Sequence, residues 1–155
     1  KLTGKLGIDI SPAWSPDGTK LAFVSSRSGN PQIYILEIAS GKVGRLTYDG
    51  GYNTQPSWSP RGDKIVYSSR VDGRFNIFVI GVDGQNMAQL TGEAGDNESP
   101  SWSPDGSMIA FSSAREGPSI ARIYVMTAFG TDQRRLLALP GEQTNPEWSG
   151  RFTNN

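Results

Sequence analysis

Three segments of the chain hold the side chains best placed to do chemistry: Thr47–Gln55 (TYDGGYNTQ), Thr91–Ser99 (TGEAGDNES) and Ala138–Asn145 (ALPGEQTN). Each is polar, contains Gly, and stands directly before a Pro-x-Trp triplet. Their amides and hydroxyls can make many hydrogen bonds, which is how loops on a rigid scaffold bind. Asp49, Asp96, Glu98 and Glu142 fall in these segments, and Asp9 stands in the matching place ahead of the first triplet. Converging carboxylates repel one another, so a cation held among them is an expectation, although no spacing matches a known calcium loop. No other cofactor is expected.

Covalent catalysis has no footing in these residues. The 155-residue chain has neither His nor Cys, so a Ser-His-Asp or Cys-His arrangement cannot be built within it. No Gly-x-Ser-x-Gly elbow, Walker loop or Gly-x-Gly-x-x-Gly run occurs. The pairs Ser25–Ser26, Ser68–Ser69 and Ser112–Ser113 recur along the chain, which marks strand ends and not three nucleophiles. The expectation is a protein that is not an enzyme. Formal net charge is zero, so nothing electrostatic recruits nucleic acid or an anionic membrane. No apolar run is long enough for a membrane helix, and no signal peptide is evident. The lack of Cys removes disulfides and leaves the redox compartment open.

The elements that position these segments follow from a repeat. Pro12, Pro56, Pro100 and Pro146 open four copies of one phrase at spacings of 44, 44 and 46, and the copies hold all 4 Trp. Phe23, Tyr67 and Phe111 keep the same phase, as do Leu2, Leu46, Leu90 and Leu136. Tyr34 and Phe78 match as well, while Tyr124 comes two residues late, which places an insertion in the turn between Phe111 and Tyr124. With 19 Gly, 10 Pro and 35% hydrophobic residues, the composition suits short strands joined by tight turns. No segment shows a 3.6-residue apolar period, so no helix longer than a turn is expected.

Each unit reads as four strands: one around Pro-x-Trp-Ser, then KLAFVSS, KIVYSSR or MIAFSSA, then IYILEI, IFVIGV or IYVMTA, then a last one ending RLT, QLT or RLL. The middle strands are apolar at consecutive positions, so both of their faces must be covered. A four-stranded sheet of this length, stacked on copies of itself, is a β-propeller blade. The expected fold is therefore all-β, with three four-stranded antiparallel blades over residues 12–47, 56–91 and 100–137, within a unit spanning 2–149. Residues 1–4 read as an orphan outer strand, 145–149 as an orphan inner strand, and 150–155 as a tail. Each Trp is expected on the innermost strand, wedged between blades. That burial removes roughly 200 Å² from water, worth on the order of 5 kcal/mol before entropy is counted. Asp17–Gly18 and Asp105–Gly106 read as turn formers, not metal ligands, and Arg61 replaces the Asp in the second copy.

Three blades do not close a ring, since propellers need about four to eight. Half of a six-bladed propeller is the expectation. Alone it would expose apolar flanks, and self-association of two copies face to face follows.

The phrase PxWSPDGxxIAFxSxR…IYVM…G…RLT, repeated at this period from Leu2 to Ser149, resembles the TolB-like β-propeller repeat family. Gly150 departs from the pattern, which has a proline there. The resemblance implies a periplasmic interaction scaffold that binds the peptidoglycan-associated lipoprotein Pal at one mouth of the propeller channel and supports outer-membrane integrity. It places the contacts just before each Pro-x-Trp strand: Asn53, Thr54 and Gln55; Asn97, Glu98 and Ser99; Thr144 and Asn145. TolA contact is implied only through an N-terminal domain that lies outside these residues. The repeat also occurs in the propellers of prolyl-oligopeptidase-like serine peptidases, which leaves a peptidase propeller without its hydrolase domain as the alternative. A sugar- or ion-binding envelope propeller is a third.

Overall fold

The computed structural model describes residues 7–92, 95–117 and 120–149, so the orphan outer strand and the tail expected from the sequence lie outside them. Among the described residues there is no helix. Twelve strands form three four-stranded sheets in simple meander order. The first sheet comprises β1 (Asp9–Trp14), β2 (Lys20–Ser25), β3 (Gln32–Glu37) and β4 (Val43–Arg45). The second comprises β5 (Asn53–Trp58), β6 (Lys64–Val71), β7 (Arg74–Gly81) and β8 (Ala88–Gln89). The third comprises β9 (Asn97–Trp102), β10 (Met108–Ser113), β11 (Arg122–Thr127) and β12 (Arg134–Arg135). All pairings are antiparallel, and the late Tyr124 is explained by a longer connection between Ser113 and Arg122.

Every innermost strand begins three residues earlier than the sequence suggested, because its proline sits on a β-bulge. In β5 the register runs Thr54↔Ser68 and then Ser57↔Val66, so Gln55 and Pro56 together oppose Tyr67. The first and third sheets break at the same place. Proline has no N–H to give the ladder, and a bulge is where a strand tolerates that loss.

The sheets stack face to face. Ala22, Ile33 and Leu46 of the first sheet meet Trp58, Ile65, Tyr67, Phe78 and Ile80 of the second. Val66, Ile77 and Val79 on the second sheet's other face meet Trp102, Ile109, Phe111, Tyr124 and Met126 of the third. Adjacent residues such as Ile65 and Val66 thus bury on opposite faces, which is why the middle strands are apolar without alternation.

The tryptophans divide into two kinds. Trp58 and Trp102 are buried between sheets, and the Trp58 indole N–H donates to the Ala13 carbonyl at 2.9 Å. Trp148 reaches the third sheet in the same way, donating to the Ser101 carbonyl at 3.0 Å, although 145–149 pair with no strand. Trp14 does not fit the expectation: it is 56% exposed, since no described blade stands before the first.

The turns after each inner strand are closed by a carboxylate. Asp17 accepts from the Ser15 hydroxyl at 2.6 Å and the Thr19 N–H at 3.0 Å, and Asp105 does the same with Ser103 and Ser107. The serine hydroxyls, and then the backbone donors, hold both acids down at about 2. In the second sheet Arg61 occupies that position and Asp63 takes over, accepting from the Ser59 hydroxyl at 2.7 Å.

Trp58→Ala removes the wedge between two sheets and is expected to lower unfolding stability by ~3–5 kcal/mol, whereas Trp14→Ala costs under about 1 kcal/mol. Urea melts of the two variants read the difference, and equal losses would contradict the wedge.

Candidate functional site

Four residues share one rare conformation. Ser11, Gln55, Ser99 and Asn145 each precede the repeat proline, and their φ values are 51°, 53°, 53° and 52°. A non-glycine residue in the left-handed region is uncommon, and one before proline is normally extended. A bulge accompanies the conformation in the three paired copies, and Asn145 adopts it without strand pairing. The conformation turns these four side chains toward one another along the converging inner strands, where they line an open cavity of about 470 Å³.

A chain of hydrogen bonds links three of them. The Gln55 amide donates to the Ser99 hydroxyl at 2.9 Å, and that hydroxyl donates to Asn145 Oδ1 at 2.7 Å. Gln55 Oε1 in turn accepts from the Ser68 hydroxyl at 2.8 Å and from the Ser99 N–H at 3.0 Å. The Asn145 N–H donates to the Ser112 hydroxyl at 3.0 Å. Gln55 therefore bridges the second and third blades at the mouth.

The other expected site residues separate into two groups. Asn53, Thr54 and Asn97 lie on the inner strands and not in loops, and they are 0%, 8% and 1% exposed. Expected as direct contacts, these three have little surface to offer in the unbound chain. The Asn53 amide donates to Gln32 Oε1 at 2.8 Å, which also accepts from the Thr47 hydroxyl, and Thr47 Oγ1 accepts from the Ile33 N–H. Asn97, Asn76, Thr91 and the Ile77 N–H repeat that relay. These asparagines stitch each sheet to the next. Arg115 also donates to Asn97 Oδ1; in the second sheet Val71 stands in its place and Asn53 Oδ1 has no donor among the described residues. Glu98, Thr144 and Asn145 reach the surface and, with Gln55 and Ser99, line a second cavity of about 350 Å³ at the same end.

Gln32, Asn76, Ser68 and Ser112 were not anticipated. The equal spacing of Gln32–Asn76, Thr47–Thr91 and Asn53–Asn97 was a readable signal for the relay. The serine pairs carried a hidden offset: Ser25, Ser69 and Ser113 are equivalent by register, so Val24 matches Ser68 and Ser112.

Of the expected carboxylates, Asp96, Glu98 and Glu142 line the second cavity together. Among the described residues no three of His, Cys, Asp or Glu come together as a metal-holding group. Asp9 pairs with Arg27 at 3.1 Å, and Asp96 accepts from the Phe75 N–H at 2.8 Å. Glu98 is the perturbed acid: burial first, and the Asp96 carboxylate second, push its carboxyl above the usual range. What the mouth can do is donate and accept hydrogen bonds from fixed positions.

The family described as the TolB beta propeller domain matches residues 1–152. The chain belongs to the TolB β-propeller family. It is 57% identical over 150 residues to a protein TolB homolog of Chlorobium luteolum, an alignment covering 96% of this chain and 34% of that protein. It thus spans about a third of the length of this curated relative. A Tol-Pal system protein TolB from Desulfosudis oleivorans is 77% identical over 30 residues, 19% of this chain and 7% of its own. The crystal structure of TolB from Acinetobacter baumannii superposes with a TM-score of 0.83 at 25% identity, over 94% of this chain and 36% of that one. A prolyl endopeptidase structure at 19% identity and TM-score 0.67, over 90% of this chain and 23% of that one, shares the fold alone.

A raised carboxyl favours the protonated form, so Glu98 leaves the fold unburdened below its unfolded value and weakens it as pH rises through the folded one. Glu98→Gln should raise the melting temperature near pH 8, and the gain should close by about pH 4, near the ordinary glutamate value. Thermal melts across that range test this, and a gain independent of pH would contradict it.

Proposed function

We propose that the chain is the propeller portion of a periplasmic, non-catalytic interaction scaffold of the TolB type. It docks a Pal-like lipoprotein at the mouth and so supports outer-membrane integrity. Family membership and the Tol-Pal name of a relative support the partner. The observation that carries the place is the row of left-handed residues, Gln55, Ser99 and Asn145, tied by hydrogen bonds across successive inner strands. Such a row costs little to order when a partner arrives, because its conformational entropy is already spent. Glu98 and Thr144 extend the contact on the rim, while Asn53, Thr54 and Asn97 hold it from behind. TolA has no contact on these residues in this reading. With no His in the chain, the peptidase alternative would need its catalytic base from elsewhere.

Titration calorimetry of the complete protein carrying this chain, against the soluble domain of its cognate lipoprotein, tests the proposal. Thr144→Arg and Glu98→Arg should each weaken binding by about tenfold or more, or ~1.4 kcal/mol. Asp17→Asn, at the far end of the blades, should leave affinity unchanged. A complete propeller that binds no such lipoprotein would refute the reading. On its own the chain leaves Ile8, Ile10 and Trp14 exposed on its first blade. Pairing of two copies is then expected, and light scattering that shows only monomer at tens of micromolar would contradict it.

A further inference from the structure

The repeat builds one groove twice at the end of the blades opposite the mouth, and the two copies differ. Between the first and second blades it lies among Ser15, Pro16, Asp17, Lys20, Trp58, Arg61 and Gly62, and its volume is about 120 Å³, so Arg61 borders both grooves. Between the second and third blades the equivalents are Ser59, Pro60, Lys64, Trp102 and Gly106, and the volume is about 480 Å³. Three features accompany the enlargement.

First, Phe129 forms an added wall. It stands at the tip of the β11–β12 connection and is 83% exposed. Register places Ala39 and Asp83 at the same point of the other two blades. The backbone of the tip is held in place. The Phe129 N–H donates to the Thr127 hydroxyl, Gly130 packs against the Leu90 backbone, and the Gln133 amide donates to the Leu90 carbonyl at 2.9 Å.

Second, the hydrogen-bond supply is one-sided. Arg61 stands where the first blade has Asp17, with Lys64 beside it. The ion pairs among the described residues are Arg27–Asp9 and Arg135–Glu116, so Arg61 and Lys64 keep their donors. The groove's two carboxylates are already engaged: Asp63 by the Ser59 hydroxyl, and Asp105 by the hydroxyls of Ser103 and Ser107 and the Ser107 N–H. Every one of those contacts is to an Oδ1, so each carboxylate keeps its Oδ2, two acceptor oxygens against eight N–H groups from one guanidinium and one ammonium by their ordinary inventory of roughly five and three; donors are in surplus.

Third, the indoles differ. Trp58 donates to a carbonyl of the preceding blade, whereas the Trp102 N–H has no acceptor among the described residues. Both indoles are equally buried, so the difference lies in this bond and not in the packing.

We propose that this groove is a second docking site, for an extended peptide segment of a partner that sets an aromatic or branched aliphatic side chain beside a carboxylate. The apolar group lies against Phe129 and Pro60, where an aromatic ring gains from stacking beyond its buried area. The carboxylate accepts from the Arg61 fork, a planar and bidentate match, with Lys64 as a second donor. The site is independent of the lipoprotein mouth and lies at the other end of the blades, so both can be filled at once.

The test is a titration of the isotopically labelled chain with acetyl-Gly-Phe-Glu-Gly-amide, followed by amide chemical shifts. Shifts should centre on Arg61, Lys64, Gly106 and Phe129 and saturate in the millimolar range. Acetyl-Gly-Phe-Gln-Gly-amide should bind about fivefold more weakly, the size of one partly exposed ion pair. Phe129→Ser should abolish the shifts while the melting temperature stays that of the parent, since the ring is exposed. Four results would each overturn the proposal. They are no shifts at millimolar peptide, equal affinity for the Glu and Gln peptides, undiminished shifts in Phe129→Ser, and shifts at these amides that track chain concentration without peptide, which would mark a second copy as the occupant.

Discussion

Everything in this chain depends on one contact: the inner-strand tryptophan of a blade pressed against the sheet before it. A four-stranded sheet with apolar residues on both faces cannot cover itself. Its stability is a nearest-neighbour quantity, as in other repeat proteins. Trp58 and Trp102 show the contact made, and Trp14, more than half exposed, shows it unmade. The indole also anchors direction, because the Trp58 N–H reaches a backbone carbonyl of the neighbouring inner strand. Apolar pressure sets how tightly blades stack, while this bond fixes which end of one strand meets which end of the next.

Stacking of apolar faces is non-directional, and the polar relays supply the register that it lacks. Gln32 on β3, Thr47 just past β4 and Asn53 on β5 join two sheets in a buried patch, and Asn76, Thr91 and Asn97 do so again. Buried polar groups are costly unless paired, so a slipped blade would leave several of them stranded. The relays end one or two residues short of the mouth. Along a single inner strand, Asn53 therefore serves the fold and Gln55 faces the channel. The bulge makes that division: by turning Gln55 into the left-handed region, it sends a side chain into the channel that a regular strand would direct elsewhere.

The blade count, the strand order and the double coverage of the middle strands were legible because they rest on period and on runs of apolar residues, both of which survive translation into structure. The candidate site was legible only as a region. Asn53, Thr54 and Gln55 look alike in a sequence, three small polar residues before a proline. Which of them is buried depends on a one-residue phase change that the bulge introduces, and no propensity announces it. The same kind of offset hid Val24 opposite Ser68 and Ser112, because a doubled serine reads as in phase when it is one residue out. The five acids looked convergent because their segments converge, yet two of them are directed by local bonds: Asp9 to Arg27, Asp96 to the Phe75 N–H.

Repetition within one chain also separates packing from other demands on a residue. Where three copies face the same environment, a difference between them has a local cause. The Asp17 turn is a case in point. Losing its carboxylate at Arg61 should open the turn, but Asp63, two residues on, takes the same serine hydroxyl and keeps it shut. The turn is thus held by a function, an acceptor within reach of the serine, and not by a fixed position. That freedom lets a cation appear at the far end of the second blade at no cost to the fold. Neither Phe129 nor Arg61 is required by the wedge, by the relays or by the turns; Arg61 borders both grooves, and Phe129 joins it at the larger one only. Residues that the architecture does not need, gathered at one place in only one of its copies, are where a surface is most free to meet another molecule.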